Sequence, residues 1–566
     1  MNHSEKNTWW KLPGLLAALL LLAWQPLMRG LPWQGDGLLH LYRLAQLERA
    51  VRAGDWFPRW SADLGYGFGF PLFNYYAPFS YYVGLLPRLA GLSLPVSLEI
   101  SYALALLTLA AGIFLWARAV WGDELAGGTA VLATLYAPYI LYNTYHRAAL
   151  AELWGLAWLA MAFWAIADCG LRIADCATRV TEHGLRNTIQ RPIPILHVVF
   201  AALSIALLLL SHNITALLGL PILILYALWI MVNRQWSIAN SQRPLTIDHW
   251  LLTIGNFLFP LFLGLTLAAF FWLPAFFEKG FVQIENLTAT ANFAYTSHFL
   301  SLKELLSWPQ TAVPSQINPP IPRSLSWPAL ILALLAWLPT RRGEWRVASS
   351  EFPAPRSPLL ATRLFLALLT LGSLFMTLPA SQFIWDAVPL LAFVQFPWRF
   401  LGPATIGLGM LAGLGGWNLV VRVSYSVFRV PYSEIRNPKS KIRPPRSLFI
   451  VYCSLFTVFS LPWLFPAAPP PLPAAITPRD TIRFEAETGW LGTTSAADYL
   501  PRAVQELPPA DNLIPLYETT PPDGFIPRLD ASQLPPGFTL HDQQEGYTTT
   551  RLSYSSPVTT TAVFHR

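Results

Sequence analysis

The feature that most constrains this sequence is a series of apolar runs, each close to the length of a bilayer crossing, joined by loops in which arginines collect. The runs fall near 12–28, 96–118, 126–142, 150–168, 195–211, 214–232, 250–272, 326–340, 361–378, 400–421 and 447–465. Within lipid a segment must satisfy its own backbone hydrogen bonds, so runs of this length read as helices. The expected fold class is therefore an all-α polytopic membrane protein with about eleven transmembrane helices. Composition agrees. Mean hydropathy is +0.41 and 12% of the residues are charged, which is too few for a soluble chain of 566 residues. The 24 Trp suit interfacial belts, and the 50 Pro argue for broken or interfacial segments.

Charge sets the orientation. Lys6 and Lys11 precede the first run, which has no small-residue cleavage site after it. It reads as a retained span with the N-terminus in the cytoplasm. That places 119–125, 169–194, 233–249, 341–360 and 422–446 inside, and these loops hold Arg172, Arg179, Arg186, Arg191, Arg341, Arg342, Arg346, Arg422, Arg429, Lys439, Lys441 and Arg443. The bias is that of cytoplasmic loops, so the net charge of +7 implies no nucleic acid. The expected location is a plasma membrane, crossed many times. Three cysteines make no disulfide framework and lack the neighbours of a zinc site.

The outer segments are then 32–95, 143–149, about 273–325, 379–399 and the tail from 466. The first begins Gly35-Asp36-Gly37-Leu38-Leu39-His40-Leu41-Tyr42-Arg43. Asp36, His40 and Arg43 share one face of a helix starting near Asp36, and Asp36 is placed to cap it. An N-cap followed by an amphipathic surface helix explains the same residues without a function. Glycines alternating with aromatics at 65–78 suit a loop at the membrane interface, and 79–92 reads as a helix along the membrane. A true span there would invert everything after it. The tail opens on a Pro-rich linker. Alternating runs such as Thr481-Ile482-Arg483-Phe484-Glu485-Ala486, and the final 559–566, predict a small β-rich extracytoplasmic domain over 466–566. The transmembrane domain is 1–465.

Ionisable residues at membrane depth are costly and usually functional. Glu152, just inside a span and five residues from Arg147, is the clearest case, with a structural ion pair as the plain alternative. Arg147 and Arg399 present the donors that suit a phosphate, with snorkelling as theirs. His40, His212 and His298 read sooner as helix-packing hydrogen-bonders than as ligands. Lys279 lies in the long outer loop at 273–325, which is long enough to fold back over a site. No nucleotide-binding, serine-hydrolase or zinc-protease motif is evident.

These residues carry a resemblance. The stretches GDGLLHLYR at 35–43, GDWFPRW at 54–60, GYGFGFPLFNYYAPFSYY at 65–82, HRAALAE at 146–152, SHNITAL at 211–217, QFPWRF at 395–400 and LGTTSAADYLP at 491–501 resemble the prokaryotic membrane family labelled "6-pyruvoyl-tetrahydropterin synthase-related". More broadly, the chain is similar to the GT-C superfamily of polytopic glycosyltransferases. Nothing in the spans is similar to the soluble pterin enzyme. The resemblance implies sugar transfer outside the membrane, from a polyprenyl-phosphate donor to an unidentified acceptor. It makes Asp36 the general base or a residue that helps hold a metal, and Glu152 a second acid that orients an arginine or contacts the sugar. Arg147, Arg399 and Lys279 become candidates for the leaving phosphate, with His40 and Arg43 beside them. A divalent metal stays open but is not supported by an Asp-x-Asp pair, which the metal-dependent branch carries and the second loop lacks. Members with a longer outer β-domain exist, so the tail reads as shortened. The competing readings are a transporter or flippase of lipid-linked substrates and a non-catalytic envelope-assembly scaffold. Against the transporter stand the lack of an inverted repeat and of matched broken helices. Asp36, Arg147, Glu152 and Arg399 are expected to line one outward-facing cavity.

Overall fold

The computed structural model describes residues 30–183, 195–239, 258–289, 293–308, 324–338, 357–428, 446–464, 468–494, 496–504, 515, 539–545 and 550–555. In chain order the longer helices are α1 (Gly37–Arg52), α2 (Phe79–Leu89), α3 (Leu94–Trp121), α4 (Glu124–Leu135), α5 (Leu150–His183), α6 (Ile195–Ser211), α7 (Asn213–Ala239), α8 (Leu258–Leu267), α9 (Ala269–Phe277), α10 (Trp327–Leu335), α11 (Ser357–Met376), α12 (Leu401–Phe428), α13 (Arg446–Ser460) and α14 (Pro478–Thr488). Two strands, β1 (Thr539–Glu545) and β2 (Thr550–Ser555), pair antiparallel.

The protein is mostly helical, and among the described residues five helices are long and apolar enough to cross a membrane, or up to seven if two bent pairs each count as one. The expected eleven are supported only to that extent. The first run lies outside the described residues. The runs at 195–211 and 447–465 form helices below the length of a crossing, and α10 has nine residues. The two bent pairs are corrections. The run at 126–142 is α4 followed by Pro138–His146 at 55°, and the run at 250–272 contains α8 and α9 at 71°. Pro138 opens the second half of the first pair. A proline withholds its N–H from the preceding turn, so an apolar run continues in composition while its helix ends. Most of the basic loops expected inside fall outside the described residues.

The chain divides into two compact units. One comprises Met1–Gly35, Tyr102–Ala269 and Tyr295–Ala468, and the other Asp36–Ser101, Phe270–Ala294 and Pro469–Arg566. In the first, α12 is the central helix. Its glycines let α4, α10 and α11 approach. A Cβ at Gly413 would stand 2.5 Å from the Ala126 carbonyl oxygen, and one at Gly415 would overlap that of Leu332. Small residues at such contacts are how helices gain dispersion energy in lipid, where apolar burial is not rewarded. On another side Trp116 of α3 stacks on Phe163 of α5 with centroids 4.4 Å apart and donates to the Tyr226 hydroxyl of α7 at 2.8 Å.

In the second unit, α1 begins at Gly37 with Asp36 at its N-cap position, as the spacing predicts. The Asp36 side chain makes no capping bond, which corrects that expectation. Nor is α1 an amphipathic surface helix: most of its side chains are buried, and the polar ones are paired. Glu48 binds Arg52 and Arg88 of α2, and Arg49 binds Asp63 at 2.9 Å. With eleven residues, α2 is too short to span. The tail is not β-rich among the described residues. The run at 481–486 lies in α14, where Thr477 and Asp480 form a capping box and Gly489 ends the helix in a left-handed conformation. Those end signals outweigh a short alternation that both periods fit. The run 559–566 lies outside the described residues.

Candidate functional site

Three of the seven predicted site residues meet in the first unit. A π-turn at Tyr142–His146 carries the chain from the bent span into α5. Ala148 follows with φ +53°, its carbonyl oxygen accepting from the Tyr102 hydroxyl at 2.6 Å. That kink puts Arg147 over the first turn of α5, where Glu152 is buried. Arg147 Nη1 donates to Glu152 Oε2 at 2.6 Å and lies 3.4 Å from Asn143 Oδ1. Asn143 Nδ2 donates to Glu152 Oε1 at 2.9 Å, and the Tyr139 hydroxyl donates to the same oxygen. From the short turn Pro397–Phe400 just before α12, Arg399 brings its Nε to 3.9 Å from Glu152 Oε2. Gln395, at φ +63°, turns the chain before it, and Arg399 Nη1 donates to the Val394 carbonyl at 2.7 Å. Trp398 and Phe396 lie against the two guanidinium groups at 5.1 and 4.9 Å.

Two guanidinium charges thus face one carboxylate in a buried place, a surplus of one positive charge. Left-handed backbone at Ala148 and Gln395, residues with a Cβ, costs on the order of 1 kcal/mol or more at each. Both strained positions adjoin the cluster. Beside it is a cavity of about 10 Å³, room for roughly one water, lined by Glu152, Thr215, Leu218, Arg399 and Pro403 among others. His212, just before α7, accepts from the Thr215 N–H through Nδ1 at 3.2 Å, with Thr215 Oγ1 2.7 Å away, a local cap of that helix. His298 stands edge-on to Phe396. The backbone of Gly35, at φ +56°, lies so close to the Arg147 carbonyl that a Cβ would come within 2.5 Å of it.

The other four are in the second unit. The Asp36 carboxylate is half-buried and makes no hydrogen bond or ion pair among the described residues. His40 and Arg43 share a face, as predicted, and both meet Tyr81. His40 is fully buried with Nδ1 2.7 Å from the Tyr81 hydroxyl. Arg43 donates from Nη1 to Tyr81 at 3.3 Å, from Nε to Thr493 Oγ1 at 3.0 Å and from Nη2 to the Thr493 carbonyl. Lys279 stands over the Phe276 ring at 4.5 Å. The loop around it is held by Glu278, which takes hydrogen bonds from Arg59 and from Asn74.

Sequence reasoning named no role for Tyr81, Tyr139, Asn143, Thr493 or Asp498. Asn143 had a usable signal, since it precedes Arg147 by one helical turn. Among the described residues no three His, Cys, Asp or Glu side chains gather in a way that could hold a metal ion.

No protein-family model matches the sequence, and no curated protein matches it. The fold is similar to that of ArnT from Cupriavidus metallidurans bound to undecaprenyl phosphate, at 15% identity and TM-score 0.39, over 81% of this chain and 76% of that one. It is similar to arabinofuranosyltransferase AftD from Mycobacteria at 16% and 0.41, over 84% and 30%. It is also similar to the Archaeoglobus fulgidus oligosaccharyltransferase at 14% and 0.44, over 82% and 56%. The chain therefore spans about a third and about half of the latter two. Two of the three bear transferase names. The narrower pterin-related label has no matching model.

Proposed function

We propose that this chain is a membrane glycosyltransferase that moves a sugar from a polyprenyl-phosphate donor to a hydroxyl acceptor outside the membrane. The observation that carries it is the buried Arg147–Glu152–Arg399 cluster with its positive surplus. When the bond from the anomeric carbon to phosphate breaks, the electron pair leaves with the phosphate as an anion. Fixed guanidinium groups in a site of low dielectric stabilise that charge more than water does. Glu152 holds both in place before the anion arrives, and Lys279 is a third cation for it. Asp36, unpaired and half-open, takes the proton of the acceptor hydroxyl as its oxygen bonds to the anomeric carbon. His40 and Arg43 act behind it through Tyr81. The N-terminus lies in the cytoplasm and the tail outside.

The test supplies labelled polyprenyl-phosphate sugars to the purified full chain in nanodiscs. Transfer is expected, falling about 100-fold or more in Asp36→Asn, the usual worth of a general base. Transfer that survives this change removes Asp36 from the role. The two broken spans favour a second reading, a transporter, because discontinuous helices commonly line substrate sites. Movement of labelled lipid between leaflets without sugar transfer establishes that reading instead.

A further inference from the structure

We propose that the cavity among α5, α6, α7 and α8 holds one acyl chain of a bilayer phospholipid, drawn from the leaflet opposite the Arg147–Glu152–Arg399 cluster. The cavity has a volume of about 200 Å³ and an almost wholly apolar lining. Cys169 of α5, Ala201 of α6 and Ala227 of α7 line it, and their short side chains make the room. On one side it is open, where Ile224, Leu228 and Leu258 of its wall are exposed. Leu225, Val232 and Phe262 are more exposed still. The mouth therefore continues an apolar face of helices, and α5 and α7 are each long and apolar enough to cross a membrane.

An empty apolar cavity costs stability in proportion to its volume, and water without polar partners does not fill it. A hydrocarbon chain does, and it restores the missing dispersion contacts. Depth decides whose chain it is. The crossing Leu150–Cys169 has Glu152 in its first turn and Cys169 at its other end. Cys169 is seventeen residues on from Glu152, about 25 Å at the rise of an α-helix, against about 30 Å for a whole hydrocarbon core. The cavity is thus past the midplane from the cluster. Asp168 and His197 mark the polar edge there, with His197 Nε2 3.3 Å from Asp168 Oδ2. His197 precedes Ala201 by one turn on the same face of α6. Its Nδ1 is buried and has no hydrogen-bond partner among the described residues. A lipid whose head lies at that edge delivers its chain directly into the cavity. A donor with its phosphate at the cluster must first reach across most of the bilayer.

The site does not depend on the transferase reading. The test is native mass spectrometry of the purified full chain in a mild detergent, titrated with palmitoyl-oleoyl phosphatidylethanolamine, alone and against undecaprenyl phosphate. One phospholipid is expected to stay bound to each chain, to raise the unfolding temperature and to survive an excess of undecaprenyl phosphate. Ala227→Leu and Cys169→Leu fill the cavity from two helices. Each should weaken this binding at least tenfold while unfolding no earlier than the lipid-free parent. Ala227→Val should weaken it less, so that the loss follows the volume filled and not a loss of fold. Leu225→Ala, on the exposed face but outside the cavity, should bind as the parent does. Displacement by undecaprenyl phosphate gives the cavity to the donor's tail and overturns the proposal. So does binding that both filled variants retain, and so does a parent that keeps no phospholipid.

Discussion

At the scale of single residues the first unit depends on Glu152. Its carboxylate is the shared partner of Arg147, Asn143 and Tyr139, with Arg399 nearby. Glu152→Gln leaves two guanidinium groups in a buried place without a counter-charge. Removing one member of a buried ionic group typically costs about 3–5 kcal/mol. The variant should unfold well below the parent in detergent, and an unchanged unfolding temperature would show the cluster to be solvated. In the second unit Glu485 is fully buried and accepts from the N–H groups of Gly65, Tyr66 and Gly492. Burial still pushes its carboxyl up to about 7. An unfolded Glu titrates near 4.3, so between those values the folded form binds more protons. Stability therefore falls as pH rises from about 4.5 to 7 and is level above, by about 4 kcal/mol at most. The Asp498 carboxyl, which burial pushes up to about 6, acts in the same direction. In Glu485→Gln, which keeps one acceptor oxygen, thermal unfolding of this unit should lose most of its slope over that range. Much of the first cluster was legible in the sequence, because Glu152 and Arg147 interrupt apolar runs where charge is costly. Asp498 and Glu485 were not. An acid in a polar tail is ordinary, and only the fold reveals that it is buried.

At the scale of elements, apolar length was legible and breaks were not. The spans at 96–118, 150–168, 361–378 and 400–421 recur as α3, the first half of α5, α11 and α12. Hydropathy averages over a window, so it passes smoothly across the bend before Pro138. Alternation over six residues misled in the tail, where the Thr477–Asp480 cap decides the state of α14. Glycines in α12 were visible but not their faces. Gly413 meets Ala126 and Ala130 of α4, so the α4–α12 contact tolerates no side chain there. Gly413→Leu should force the helices apart and cost about 1–3 kcal/mol, the usual range for overpacking. Gly372 has nothing within 4 Å of a Cβ, so Gly372→Leu should leave the unfolding temperature nearly unchanged. Equal effects of the two changes would refute the packing account.

At the scale of the whole molecule, the second unit is assembled from three distant segments, 36–101, 270–294 and 469–566. No stretch of sequence announces this, because each segment looks complete as a loop or a tail. What joins them is a small set of polar contacts. Glu485 holds the backbone at 65–66, Thr493 takes the donors of Arg43, Val282 bridges to Pro501, and Arg502 binds Glu285 at 2.7 Å. Tyr42 stacks on Phe484 with centroids 4.0 Å apart. Each contact has one partner in the tail. Ending the chain after Ala468 removes all of them at once and leaves Arg43 buried without its main acceptors. The first unit keeps its own contacts, since its last segment ends at Ala468. Hydrogen exchange on the shortened chain should therefore speed up at least tenfold at the amides of 61–70 and 281–286, a loss of about 1.4 kcal/mol of local stability or more. The amides of α12 should exchange as in the parent. If 61–70 stays protected without the tail, the unit does not depend on its third segment.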